Sequence, residues 1–117
     1  MKIFKISDIT KTPGSRLKSE HSENQKHMSA ESIRDNHLFL TYLVARGVEE
    51  PLRIDLDGTA GYAGSFLDEL FGGMIRIRNV NGYMLLNTLH FKSNDDLSLI
   101  QEITTYIIEA IQEENGN

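Results

Sequence analysis

The chain has 117 residues, a formal net charge of −5 and no cysteine. That length suits one domain around one core and is short for a catalytic core plus a cap. The charge gives no basic field for nucleic-acid phosphates, and the missing thiols exclude disulfides, a thiolate nucleophile and cysteine-rich zinc sites, which fits a reducing cytosol.

The opening MKIFKISDIT is too short an apolar run for a signal peptide, and no later segment approaches a membrane span. A single cytoplasmic domain over residues 1–117, with neither a nucleic-acid nor a membrane partner, is the expectation. Residues 2–9 alternate loosely, with Ile3, Phe4, Ile6 and Ile9 among charged residues, and predict a first strand. Polar residues then run from about 10 to 28, with Pro13-Gly14 as a turn signal, and predict a mobile loop.

A helix is predicted from Ser29 or Ser32, the latter standing in capping-box spacing with Asp35. Ile33, His37, Leu40 and Val44 recur on one of its faces, and Gly47 is placed as its C-cap. Pro51 to Leu56 predicts a second strand inside a sheet. After a loop containing Gly58, Gly61 and Gly64, Ser65 and Asp68 form an S-x-x-D box, and Phe66, Leu67, Leu70, Phe71 and Met74 give the next helix its apolar side.

That helix either breaks at Gly72-Gly73 or continues, and between Met74 and Leu86 strand and helix both remain open. Thr88 to Ser93 predicts another strand. A cap over Ser93 to Asp96 then leads into a long helix with Leu97, Ile100, Ile103, Ile107 and Ile111 at helical spacing. Strands alternating with helices imply a layered α/β or α+β fold, a small sheet with helices packed on it.

The stretch IDLDGT, residues 54–59, resembles the opening of the active site in haloacid-dehalogenase-like phosphatases. That resemblance implies Asp55 as nucleophile and Asp57 as acid/base in a magnesium-dependent phosphohydrolase. Such chemistry also needs metal-holding carboxylates and a cation, and Lys92, Asp95 and Asp96 sit close together in the sequence rather than on separate strand ends. The other reading of the motif is a strand ending in a polar turn.

The longer run IDLDGTAGYAGSFLDELFGG resembles the STAS-like domain family of unknown function, related in fold to anti-sigma-factor-antagonist STAS domains. The resemblance is best over residues 52–73, extends loosely to about Ile111, and at the N-terminus rests on ISDITKTPGSRLKSE. It implies a small bacterial or phage-encoded regulatory module that acts by protein–protein contact, with no catalysis and no cofactor. It also implies a protein partner of the ATPase-type kinase class.

The interaction surface it implies is the loop and helix start carrying Gly58, Thr59, Gly61, Tyr62, Gly64, Ser65, Phe66, Asp68 and Glu69. Ser65 falls where antagonist domains carry a phosphoacceptor serine, and a helix N-terminus offers donors to a phosphate. The antagonist pattern D-S-S-G-L is matched here by Ala63, Gly64, Ser65, Phe66 and Leu67, so its Asp is absent and Phe stands for Gly. Residues 73–93 are also too few for the strand, helix and strand of a full antagonist fold. The local alternative for Ser65 is an N-cap, and Tyr62 and Phe66 fit either an exposed hot spot or the core.

The three loop glycines match neither the P-loop nor the dinucleotide pattern and read as turn glycines. His21, His27, His37 and His90 show no paired ligand spacing, so no metal is assigned, and His37 is placed in the core. The acidic stretch from Glu102 to Glu114 reads as a solvated helix face.

Overall fold

The computed structural model describes residues 1–116. Three short strands, β1 (Lys2–Lys5), β2 (Leu52–Asp55) and β3 (Leu89–Lys92), form a parallel sheet in the order β1-β2-β3. Helices pack on this sheet, so the fold is α/β. Phe4, Ile54 and Phe91 stand side by side in register, as do Leu52 and Leu89, and this face of the sheet turns into the core. Parallel crossovers are right-handed as a rule, and two successive ones that step the same way across a sheet put their helices on the same face.

The first helix, α1, is three consecutive segments: α-helical Ala30–Ile33, a π-helical turn Arg34–Leu38, and α-helical Phe39–Gly47. Ser29 is its N-cap and accepts from the Ser32 N–H at 3.1 Å, so the earlier of the two candidate starts is the one used. The π turn changes which side chains are buried. They run Ile33, Leu38, Tyr42, Ala45, whereas His37, Leu40 and Val44 are exposed. One extra residue in the turn rotates everything beyond it by about 100°, which is why the regular 3.6-residue spacing selects the wrong stripe and puts His37 in the core.

Gly47 is the last helical residue rather than the cap. The left-handed position falls on Glu49, at φ 55°, with the Glu50 N–H donating to the Ala45 carbonyl at 2.9 Å and the Glu49 N–H to that of Arg46 at 3.2 Å, a Schellman ending.

Helix α2 repeats the design: Gly64–Leu67 is α-helical, Asp68–Gly72 is a π turn, and Gly73–Arg76 is α-helical again. It runs through Gly72-Gly73 without a break, and Phe66, Leu67, Leu70, Phe71 and Met74 are all buried as the spacing predicts. The segment left open resolves as the end of α2 and a short helix α3 (Gly82–Thr88) capped by Asn81; the Ile75–Arg78 alternation forms no strand.

Helix α4 (Ser98–Gly116) buries Leu99, Ile103, Ile107, Ala110 and Ile111. Leu97 and Ile100, placed on that stripe from spacing, are exposed instead: Leu97 precedes the helix, where the Asp96 carboxylate accepts from the Ser98 N–H at 3.0 Å, and Ile100 lies beside the buried stripe. The polar stretch before α1 carries two 3-10 segments, Lys18–Glu20 and Glu23–Met28, and is tied to α1 by Ala30 N–H to Ser15 O and Glu31 N–H to Arg16 O. None of the helices among the described residues is long and apolar enough to cross a membrane.

The two π turns meet through Arg34. Its side chain is 2% exposed, and its guanidinium binds the Glu69 carboxylate, the Glu69 carbonyl at 3.3 Å and Asp35 at 2.8 Å. Burial disfavours the Arg34 charge, but Asp35 and Glu69 outweigh it and hold the guanidinium more firmly protonated than usual. Gly73 makes the space: a Cβ there would lie 2.5 Å from Nη1 and 3.1 Å from Cδ of Arg34. Arg34→Ala is therefore expected to lower the unfolding free energy by about 3 kcal/mol, because it leaves the largely covered Glu69 with only the exposed Arg16 nearby. Gly73→Ala should destabilise as well, and Arg34→Met combined with Glu69→Leu should lose less than Arg34→Ala alone, all read from urea unfolding curves.

Candidate functional site

Open α/β sheets gather their chemistry outside the carboxyl ends of the strands, where the chain leaves one layer for the other. Here three segments converge: residues 6–8 after β1, residues 56–63 after β2, and residues 93–97 after β3.

Asp55 ends β2, level with Lys92 at the end of β3, so strand register alone brings the two side chains together. The Lys92 ammonium lies 3.5 Å from Asp55 Oδ2 and 3.3 Å from Asp57 Oδ2. Asp57 Oδ1 accepts from the backbone N–H groups of Asn94 at 2.7 Å and Asp95 at 2.9 Å. The Asp57 N–H donates back to Asp55 Oδ1 at 3.0 Å, and the Gly58 N–H donates to Asp95 Oδ2 at 3.0 Å.

Every oxygen of the IDLDGT aspartates thus has a partner inside the protein. The Asp95 N–H, with the Lys92 ammonium and the Asn94 N–H, holds the Asp57 carboxyl below the usual carboxylate range, and Asp57, with Asp55 beside it, raises Lys92.

The β2–α2 loop rides on this network. Gly58 and Gly61 have φ of 87° and 121°, a backbone that L side chains rarely adopt, which accounts for glycine at both. The Ala60 N–H donates to the Lys11 carbonyl at 2.8 Å, and the Tyr62 hydroxyl donates to the Leu56 carbonyl at 2.8 Å. Burial, together with the fields of Asp55, Asp57 and Asp95, raises the Tyr62 phenol to about 12. Its ring sits 5.8 Å from that of Phe66.

A cleft of about 110 Å3 lies between the loop and the start of α4, lined by Thr59, Tyr62, Asp95 and Glu102 among others. At the helix start Gly64 lies close to the Tyr106 hydroxyl, which donates to Glu102 at 2.8 Å, and this bond raises the Tyr106 phenol to about 12.

The family model described as a STAS-like domain of unknown function matches residues 29–98, well over half of the chain. The chain belongs to that STAS-like family. The match opens at Ser29, the N-cap of α1, and closes at Ser98, the first residue of α4, so β1 and nearly all of α4 lie outside the matched segment of this STAS-like protein. No curated protein and no solved structure matched the chain.

The residues singled out on the STAS-like resemblance divide by environment. Gly58, Gly61 and Ser65 are exposed, and Thr59, Tyr62 and Gly64 are partly covered. Phe66 is in the core, which settles that alternative. Asp68 faces Arg76 at 3.0 Å and Glu69 serves Arg34. Ser65 is inside the first turn of α2, not at its cap: the N-cap is Ala63, without a side-chain bond, and Asp68 completes no capping box. Lys92, which the sequence offers with Asp95 and Asp96 as the cation for this motif, is placed over both aspartates by the parallel register. Among the described residues no group of three or more histidines and carboxylates is arranged to hold a metal ion.

Asp57 makes the site pH-sensitive, with a definite sign. Its carboxyl is lowered in the folded state, so its contribution is complete above the ordinary carboxylate pKa near 4 and is lost as pH falls through the lowered value. Asp57→Asn is expected to flatten the acid limb of stability between about pH 5 and 2. An unchanged limb in urea midpoints taken across that window would count against the lock.

Proposed function

We propose that this STAS-like domain is a non-catalytic regulatory module, and that the exposed turn from Gly58 through Ser65 is its docking surface for a protein partner. The observation that carries the reading is the spent polarity beneath the turn: both oxygens of Asp55 and of Asp57 are engaged by Lys92 and by backbone N–H groups. Such bonding makes a rigid pedestal, and rigid loops lose little entropy on binding.

The partner class that best fits the STAS-like resemblance is an ATPase-type kinase, with Ser65 as phosphoacceptor. Support for Ser65 is its exposure in the first turn of α2, where helix N–H groups and dipole favour an added phosphate. Asp68 and Glu102 nearby work against that phosphate staying on the surface, which suits a modification that expels a partner rather than recruits one. With the unmodified chain as bait in its host, a partner should be recovered that baits carrying Ser65→Glu or Ala63→Arg lose by about tenfold or more. Equal recovery on all three baits would place docking elsewhere.

One observation favours a second reading, a magnesium-dependent phosphohydrolase using Asp55 and Asp57: Lys92 approaches both carboxylates as a charge-neutralising cation would. Against it, Asp55 is buried, and its two carboxylate oxygens already face the Asp57 N–H at 3.0 Å and the Lys92 ammonium at 3.5 Å. The expected outcome with magnesium and p-nitrophenyl phosphate is no phosphate release that Asp55→Asn removes. Turnover abolished by that substitution would reverse the assignment.

A further inference from the structure

One face of the sheet, carrying Phe4, Leu52, Ile54 and Leu89, is buried, and the opposite face is largely open to solvent. Its side chains are fixed by register: Ile3, Arg53 and His90 form one row, and Lys5, Asp55 and Lys92 the next. Ile3 is 63% exposed, and Lys5, Arg53 and His90 are exposed as well. Parallel sheets are ordinarily covered on both faces, because crossover helices supply the second cover. Here the strand order lets both crossovers fall on the same side.

Beside this open face runs a groove of about 530 Å3 along the unpaired edge of β3, lined by Arg53, His90 and Lys92 on the sheet side and by Leu97 and Ile100 on the α4 side. Leu97 is 77% exposed, the highest among the large apolar side chains. The chain carries −5, yet the uncompensated charges on this face are the exposed cations Lys5 and Arg53, since Lys92 is already balanced by Asp55 and Asp57. Among the described residues neither Lys5 nor Arg53 has an ion-pair partner.

We propose that this face is a second docking surface, and that its occupant is an acidic amphipathic helix of a partner protein. The apolar stripe of such a helix lies over Ile3, Leu97 and Ile100, and its acidic flank lies against Lys5 and Arg53. Charge complementarity selects this occupant over a second copy of the chain. A twofold contact through the same face would bring Lys5 and Arg53 of one copy toward the same cations of the other. An added strand fits poorly too, since Lys5 on β1 and Lys92 on β3 blunt both edges. The inference goes beyond the docking turn proposed above and does not use it.

The test pairs the full chain with a labelled peptide of about 18 residues, five helical turns, with leucines on one stripe and glutamates flanking it. A lysine-flanked counterpart serves as control. Fluorescence anisotropy should show the acidic peptide bound, with affinity falling as salt rises, and the lysine peptide not bound. Arg53→Glu and Leu97→Ser, both at exposed positions and checked for unchanged circular dichroism, should each weaken binding by about tenfold, whereas Ser65→Glu should leave it unchanged.

No binding of the acidic peptide at about 1 mM, or equal binding of both peptides, overturns the proposal. A dimer in sedimentation that Leu97→Ser dissociates would show the occupant to be a second copy, and a single-stranded oligonucleotide retained only by the Arg53 protein would make the face a nucleic-acid surface. Either result also overturns it.

Discussion

A guanidinium withdrawn from water needs a carboxylate, and in this protein that need sets the architecture. Arg34 opens the π turn of α1, and Glu69 lies in the π turn of α2, so each widened turn carries one half of the pair. Asp35 and Arg78 extend the pair toward the surface, Arg78 also lying 4.8 Å over the Phe39 ring, and Arg16 approaches Glu69 at 3.6 Å from the N-terminal segment. A buried ion pair adds little net stability compared with a well-packed apolar substitute. What this one supplies is register: with Gly73 giving clearance, the two helices can slide or rotate against each other only by breaking it. Because α2 is fixed, so is the turn that leads into it.

The same constraint explains what could be read from the residue order and what could not. The second and third strands, the α2 core stripe and the two long helices appear where spacing puts them, whereas the first strand, expected over residues 2–9, stops at Lys5 and gives way to a 3-10 turn over Ile6–Asp8. The α1 stripe departs from its spacing, because a π turn interrupts it at Arg34–Leu38, where Arg34 pairs with Glu69, 35 residues away. Spacing rules assume 3.6 residues per turn and carry no signal for the extra one. For α4 the difficulty was the boundary: Asp96 capping at Ser98 leaves Leu97 outside the helix, although it continues the apolar rhythm.

The candidate site was legible in half. Asp55, Asp57 and the loop glycines stand in one short run, and their turn chemistry is local. The sequence offers Lys92 as a cation for the motif, but strand pairing, which spacing does not reveal, is what brings it there. Once paired, the lysine and the aspartates neutralise one another, and the motif that resembles a reaction centre becomes the support for a glycine-rich turn. The turn has conformational freedom in principle, since Gly58 and Gly61 occupy backbone regions closed to other residues, but its bonds to Lys11, Asp95 and Leu56 remove it.

The parallel pairing of β1 with β2 also governs the order of assembly. During synthesis the N-terminus emerges first, yet β1 has no neighbour until β2, about 50 residues later, has left the ribosome. Closing so long a loop costs entropy before any ladder bond repays it, and α1, which lies inside that loop, shortens the span that has to be closed. In the interval Lys2 and Lys5 keep a naked apolar strand in solution.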